Sequence, residues 1–206
     1  MRRVFVVAIA SATVVGVTVG VLLHNEFGSA RALARPTLPV LYGQATWRSG
    51  AVPAPSFRLL DQHGRTVRLA AMRGRAVVLA FMDSLCTSEC PIEAAQFAAA
   101  LRPLSGSTKP RLLVVSVDLA DTPASVARAA RKWHLPAGFE WLLGTHAQLA
   151  PVWKAYGIAV RPTKSGDVEH SDAFYVIDRN GDERAGFISP FIPGLLTRDL
   201  RYLAAA

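Results

Sequence analysis

A chain of 206 residues with 51% hydrophobic content suits one folded domain plus appendages. Its two cysteines exclude a small protein stapled by many disulfides. A formal net charge of +8 would suit nucleic acid or a membrane surface, but the cations are scattered, as at Arg58, Arg65, Arg73, Arg75 and Arg128; no basic cluster with interleaved aromatics exists, so no nucleic-acid partner is expected.

Met1-Arg2-Arg3 is followed by an uncharged run, Val4 to Leu23. About 20 helical residues rise about 30 Å, the thickness of a bilayer's hydrocarbon core. The apolar region of a cleaved signal is shorter, about 7–15 residues. Ala32-Leu33-Ala34 has the form of a cleavage site but lies beyond His24, Asn25 and Glu26. Residues 1–23 therefore read as an uncleaved single-pass membrane anchor. Arg2 and Arg3 favour a cytoplasmic N-terminus, which puts the rest of the chain on the extracytoplasmic side of the cell membrane. Ala8, Ala12, Gly16 and Gly20 share one helical face, on which two helices can pack as a homodimer. A helix merely rich in small residues would look the same. Residues 24–53 are rich in Gly, Ala, Arg and Pro without sustained period and read as a tether.

The folded domain is expected over residues 54–206. Phe57 to Leu60 and Thr66 to Leu69 form a hairpin around Asp61-Gln62-His63-Gly64. A strand follows at Ala76 to Phe81. An amphipathic helix runs from Ile92 to Leu101 and stops before Pro103. Arg111 to Val117 is almost wholly apolar, as in a strand buried on both faces. Asp121-Thr122-Pro123 opens a helix carrying Val126, Ala130 and Trp133. Thr145 and Gln148 have capping-box spacing before Leu149, Val152, Trp153 and Tyr156, and Gly157 closes that helix. Phe174 to Ile177 is a strand, turned by Asp178-Arg179-Asn180-Gly181 into a partner at Arg184 to Ile188. Leu195, Leu196, Leu200 and Leu203 mark a last helix. Alternating strands and helices predict an α/β fold, a central sheet with helices on both faces.

Between the Ala76 strand and the Ile92 helix lies Cys86-Thr87-Ser88-Glu89-Cys90-Pro91, with both cysteines of the chain. Pro91 has no N–H and a preset φ, so it suits a first helical turn. This puts Cys90 at a helix N-terminus and Cys86 in the preceding loop. The partial positive charge there favours thiolate, the form that attacks disulfides and binds soft metals. The loop sits at a strand's carboxyl end, where open α/β sheets hold ligands. A structural disulfide, a redox-active pair and a metal site all remain open. The first would close a very short loop and add little stability.

The domain resembles the Sco/SenC family over about Ala54 to Leu203. The resemblance rests on Ala54-Pro55-Ser56-Phe57 continuing to Asp61-Gln62-His63-Gly64, on the C-x-x-x-C-P of Cys86 to Pro91, on Ser116 to Pro123, and on Val168-Glu169-His170-Ser171 before Phe174 to Asp178. It implies a thioredoxin-like fold with a central mixed β-sheet flanked by helices and an N-terminal transmembrane helix. It further implies copper held by Cys86, Cys90 and His170, and a metallochaperone role in assembling the copper centre of cytochrome c oxidase. The partner would then be the oxidase subunit that accepts copper. Asp118 falls on a family acidic position, as a supporting residue. Two departures stand out: Asp83-Ser84-Leu85 precedes the first cysteine where the family has an aromatic residue or Thr-His, and Ser88-Glu89 replaces an Asp-containing pair. They leave the ligand set intact and bear on partner choice.

Two thiolates and an imidazole are one ligand short of a closed zinc site, although catalytic zinc uses Cys₂His plus water. Soft thiolates suit Cu(I), and Cu(II) exceeds zinc at equal ligands, so copper is the expected metal. The rival is a membrane-tethered thiol–disulfide oxidoreductase using Cys86 and Cys90 on a thiol-bearing partner protein. Thioredoxin-like reductases carry a cis-proline before the strand facing the cysteines; here that place belongs to Ala173, and Pro162 is too far upstream. The missing ring leaves space for His170. The same dithiol could serve both chemistries in turn. His24, His63, His134 and His146 read as solvated side chains, and Met82 as core packing.

Overall fold

The computed structural model describes residues 41–163 and 168–205. The expected membrane helix Val4 to Leu23, its small-residue face and the first part of the tether lie outside the described residues. Among the described residues, no helix is long and apolar enough to cross a membrane.

The strands in chain order are β1 (Ala45–Thr46), β2 (Arg58–Asp61), β3 (Thr66–Arg68), β4 (Val77–Met82), β5 (Arg111–Ser116), β6 (Glu140–Leu143), β7 (Val160–Pro162), β8 (Val168–His170), β9 (Ala173–Ile177) and β10 (Glu183–Ile188). The helices are α1 (Glu89–Leu101), α2 (Pro123–Lys132), α3 (His146–Ala155) and α4 (Pro193–Ala205). One sheet runs β1-β10-β9-β4-β5-β6-β2-β3, and β7 and β8 form a separate hairpin. β4, β5 and β6 are parallel, whereas β9 lies antiparallel on the other side of β4. The sheet is therefore mixed and flanked by helices.

Strand periodicity explains the two layers. All of β4 is buried. Val78, Ala80 and Met82 face a core that holds Phe97 of α1, Val126 of α2 and Leu196 of α4. Val77, Leu79 and Phe81 face the opposite core, with Leu149 and Trp153 of α3. An alternating strand would be half wet; this one is apolar throughout because helices cover both faces. α2 opens at Thr122, whose hydroxyl accepts from the Ser125 N–H with Pro123 next in line. The cap is thus Thr122 rather than Asp121, which is used elsewhere. Thr145 and Gln148 cap α3 reciprocally. In the β9–β10 turn, Asp178 Oδ1 accepts N–H bonds from Asn180 and Asp182, and Gly181 takes φ 90°, which L side chains rarely adopt.

Part of the expected tether packs on the sheet. β1 pairs with β10, Leu41 is buried in the first core, and the Trp47 ring stacks on Tyr175 at 6.5 Å. Three elements were not read from the sequence: β1, β6 and the β7–β8 hairpin.

Phe174 is the hub of the first core. Its ring meets Phe97 at 4.9 Å, Phe191 at 4.6 Å and Phe187 at 5.0 Å. Phe174→Ala is expected to cost about 3–5 kcal/mol in urea unfolding, through lost transfer energy and the cavity left behind. A loss under about 1 kcal/mol would mean the cluster is not packed as described.

Candidate functional site

β4 ends at Met82, and the chain turns through Asp83 to Ser88 before α1. Asp83 shapes that turn. Its carboxylate accepts the Leu85 N–H at 2.7 Å and its carbonyl accepts the Cys86 N–H at 3.3 Å. Ser84 ties the loop to the β5–α2 connection: its N–H reaches Asp121 Oδ1 at 3.0 Å, and its hydroxyl meets both Asp121 and the Ser125 hydroxyl. Ser116 donates to the other oxygen of Asp121. The reading of Cys90 at the helix start and Cys86 in the loop matches this layout, with α1 beginning one residue before Cys90.

No side chain caps α1 at Ser88. The Cys86 sulfur supplies an acceptor instead, taking the Cys90 N–H at 3.4 Å. First-turn amides have no intrahelical partner, so an anionic sulfur suits them. Cys86 is half-buried and Cys90 is buried, and both are free thiols. The Cys90 thiol donates toward Cys86, and the amides of Cys90 and Ser88 add to it. Together they outweigh burial and hold the Cys86 thiol down at about 4. Cys90 moves the other way: sharing its proton with Cys86 and being buried keep it a thiol at any ordinary pH. One sulfur is therefore a partly exposed thiolate, and the other a buried proton carrier.

His170 closes β8, paired opposite Val160. Its side chain is 6% exposed, and Nδ1 lies 3.7 Å from an Asp172 oxygen. Nδ1 is also 3.1 Å from the Ser171 carbonyl oxygen, which can only accept. That contact assigns the proton to Nδ1 and leaves the Nε2 lone pair as the donor. A positive charge on the ring would lower Asp83, so the ring and the cysteine loop lie within electrostatic reach of each other.

Among the described residues, the one set of three metal-capable side chains with ligand atoms mutually within 4.8 Å is Asp83, Asp118 and Asp121. Cys86, Cys90 and His170 are not gathered that tightly. Burial raises Asp83, with Asp118 and Cys86 adding to it. Burial also lifts Asp121 to about 6 against the hydrogen bonds from Ser116 and Ser84. Asp118 accepts the Ala120 N–H at 2.9 Å. A further acid is Glu93, one helical turn past Cys90; burial, then Asp172 and Cys86, lift it to about 8. Of these acids, the family resemblance offers only Asp118, as a supporting residue.

The remaining candidates take ordinary places. His63 is exposed in the β2–β3 turn, His134 adopts φ 56° just past α2, and His146 opens α3 with its ring 5.9 Å from Trp153. Met82 is fully buried in the core. β9 begins with Ala173, and among the described residues the cis peptide precedes Pro190, after β10.

A family model described as SCO1/SenC matches residues 47–199. No curated protein matches the chain. Among solved structures, the chain is similar to copper-bound ScoI of Bradyrhizobium japonicum, at 27% identity and a TM-score of 0.63, over 73% of this chain and 98% of that one. It is also similar to a SCO1/SenC family lipoprotein of Bacillus anthracis, at 24% identity and TM-score 0.66, over 78% and 99% of the two chains. A third is BsSco, a member of the Sco family of cytochrome c oxidase assembly proteins in which a disulfide switch is identified; it shares 19% identity at TM-score 0.65, over 78% and 98%. The fold is thus the thioredoxin-like one of these proteins.

Proposed function

This chain belongs to the SCO1/SenC family, and on that premise we propose that it is a membrane-tethered copper carrier serving assembly of the copper centre of cytochrome c oxidase. Copper is its cargo. The observation that carries this reading is the donor set: a Cys86 sulfur already accepting the Cys90 N–H, the Cys90 sulfur beside it, and His170 with its Nδ1 facing a carbonyl. Two thiolates and a neutral imidazole suit both copper oxidation states. Because the three donors are not drawn close together, uptake would bring the β7–β8 hairpin and the cysteine loop nearer. The single-pass anchor Val4 to Leu23 supports an extracytoplasmic domain on a tether that ends where Leu41 packs into the core, and pairing of two such helices would give a homodimer. The lipoprotein relative fits an extracytoplasmic, membrane-held domain.

Thiol–disulfide exchange is the second reading. The split between a Cys86 thiolate and a Cys90 thiol favours it, since exchange needs one nucleophile and one resolving sulfur. The reduced full chain is expected to hold one equivalent of copper by metal analysis. His170→Ala weakens Cu(II) binding by more than the roughly 10–100-fold that losing a partner outside the ligand shell costs, and retains part of Cu(I) binding. Cys86→Ser or Cys90→Ser abolishes both copper binding and thiol exchange. A wild-type chain that holds no copper yet reduces disulfides at a rate indifferent to His170 would make it an oxidoreductase.

A further inference from the structure

The end of the domain that carries Cys86 differs from the rest of the surface. Leu85, Ile92, Leu119, Ile188 and Ile192 are each 48–66% exposed, and the topology gathers all of them there. Leu85 and Ile92 flank the cysteines, Leu119 follows β5, and Ile188 ends β10 beside the start of β9. Ile192 lies in the loop that Gln96 of α1 grips through the Phe191 N–H and carbonyl. Among the described residues, the other large apolar side chains that are exposed, Leu60 and Tyr202, sit on β2 and α4.

In a chain of net charge +8, this end is acidic. Asp83 of the acid cluster is buried, but Asp118, Asp121 and, beside His170, Asp172 are part-exposed, and Glu89 and Glu169 are exposed. The nearby cations are Arg128 and Lys132 beside Cys86, and Arg161 beside His170. The opposite end reverses the sign: Arg65, Arg75, Lys109 and Arg111 line a cavity of about 700 Å³ with the paired acids Asp61 and Glu140.

We infer that the apolar, acid-rimmed end around Cys86 is the docking surface for a copper-exchanging protein whose thiol-bearing face is cationic and apolar. The inference rests on the copper-carrier reading above. Charge complementarity selects the partner: an acidic thiol carrier is repelled and a cationic one is steered in. The leucines and isoleucines supply the dry centre of a contact whose rim is charged. Within it, Cu(I) moves by ligand exchange with no change of oxidation state. Cu–S bonds to Cys86 and Cys90 form as two donor Cu–S bonds break, and the Cys90 proton passes to a departing donor sulfur. A second copy docking its basic end head to tail is the rival occupant.

The test uses the reduced full chain and two synthetic Cu(I)-loaded dithiol peptides with the same C-x-x-x-C core. One is flanked by Lys and Leu, the other by Glu and Ser. Transfer from the first is expected to be about tenfold faster at low salt, an advantage lost near about 0.5 M salt. The double variant Ile188→Ser/Ile192→Ser slows that transfer about tenfold while leaving equilibrium Cu(I) binding unchanged in chelator competition. Failure of the wild type to bind Cu(I) in that competition overturns the copper reading itself. Normal binding with equal transfer rates from both peptides overturns the docking inference alone. So does salt-sensitive self-association in sedimentation that the double variant abolishes, because the surface would then belong to a second copy.

Discussion

Iodoacetamide is expected to alkylate Cys86 of the reduced chain at a rate nearly constant from about pH 6 to pH 8, an interval over which an ordinary thiol speeds up about 100-fold. The reason is a thiol held down at about 4, so that Cys86 is already thiolate at the bottom of that window. The leading cause is donation by Cys90, which gives the control. Cys90→Ala removes that donor and the rate should regain a pH slope. Cys90→Ser keeps a hydroxyl donor and should stay nearer wild type. The Cys90 N–H, at 3.4 Å from the sulfur, survives in both variants, so Cys90→Ala recovers only part of the slope. Mass mapping should find the label on Cys86, because Cys90 is 1% exposed. A wild-type rate that climbs with pH like that of a free thiol would remove the premise that Cys86 is the reactive sulfur.

The sequence points to the other sulfur: Pro91 fixes the helix start at Cys90, where the partial charge favours thiolate. Cys90 is buried and keeps its proton, however, and the loop sulfur of Cys86 takes the helix-start N–H instead. β4 and β5 were visible in the sequence: their apolar runs are too continuous for a one-sided sheet. β6 was not, because it opens with a buried charge, Glu140, whose partner Arg111 stands on the neighbouring strand. Only the tertiary pairing makes Glu140 compatible with burial. β1 is two residues long and owes its place to β10 and to the Trp47–Tyr175 stack, neither of which leaves a local pattern. The acid cluster draws Asp83 from one strand end and Asp118 and Asp121 from another, so spacing could not announce it. His170 came from the family resemblance; its own neighbours say only that it precedes a strand. What the structure adds is the Ser171 carbonyl at Nδ1, an acceptor that suits an Nδ1–H and a metal at Nε2.

Glu93 supplies a second large effect. It is 3% exposed, on α1 one turn beyond Cys90, and burial pushes it up to about 8, helped by Asp172 and Cys86. The folded state therefore keeps this carboxyl protonated, while the unfolded chain releases the proton near the ordinary glutamate value of 4.5. A raised folded value contributes stability that is fully present below about 4.5 and lost as pH rises through about 8. Asp121 and Asp199, both raised to about 6, titrate below the upper part of that window. Between about pH 6.5 and 8 Glu93 thus costs the reduced, copper-free chain about 2 kcal/mol, at about 1.4 kcal/mol per pH unit. Cys86, held down at about 4 against about 8.5 for an ordinary thiol, returns a similar amount, so the wild type stays nearly level. Glu93→Gln keeps the shape and cannot ionise, so the Cys86 contribution is left unopposed and the variant's urea midpoint should rise across the same interval. The variant would then be more stable than wild type at about pH 8 and above, a reversal that simple loss of packing cannot produce. Parallel rises in wild type and Glu93→Gln would show that the carboxyl is already ionised in the folded chain, and that burial, Asp172 and Cys86 do not act on it as described.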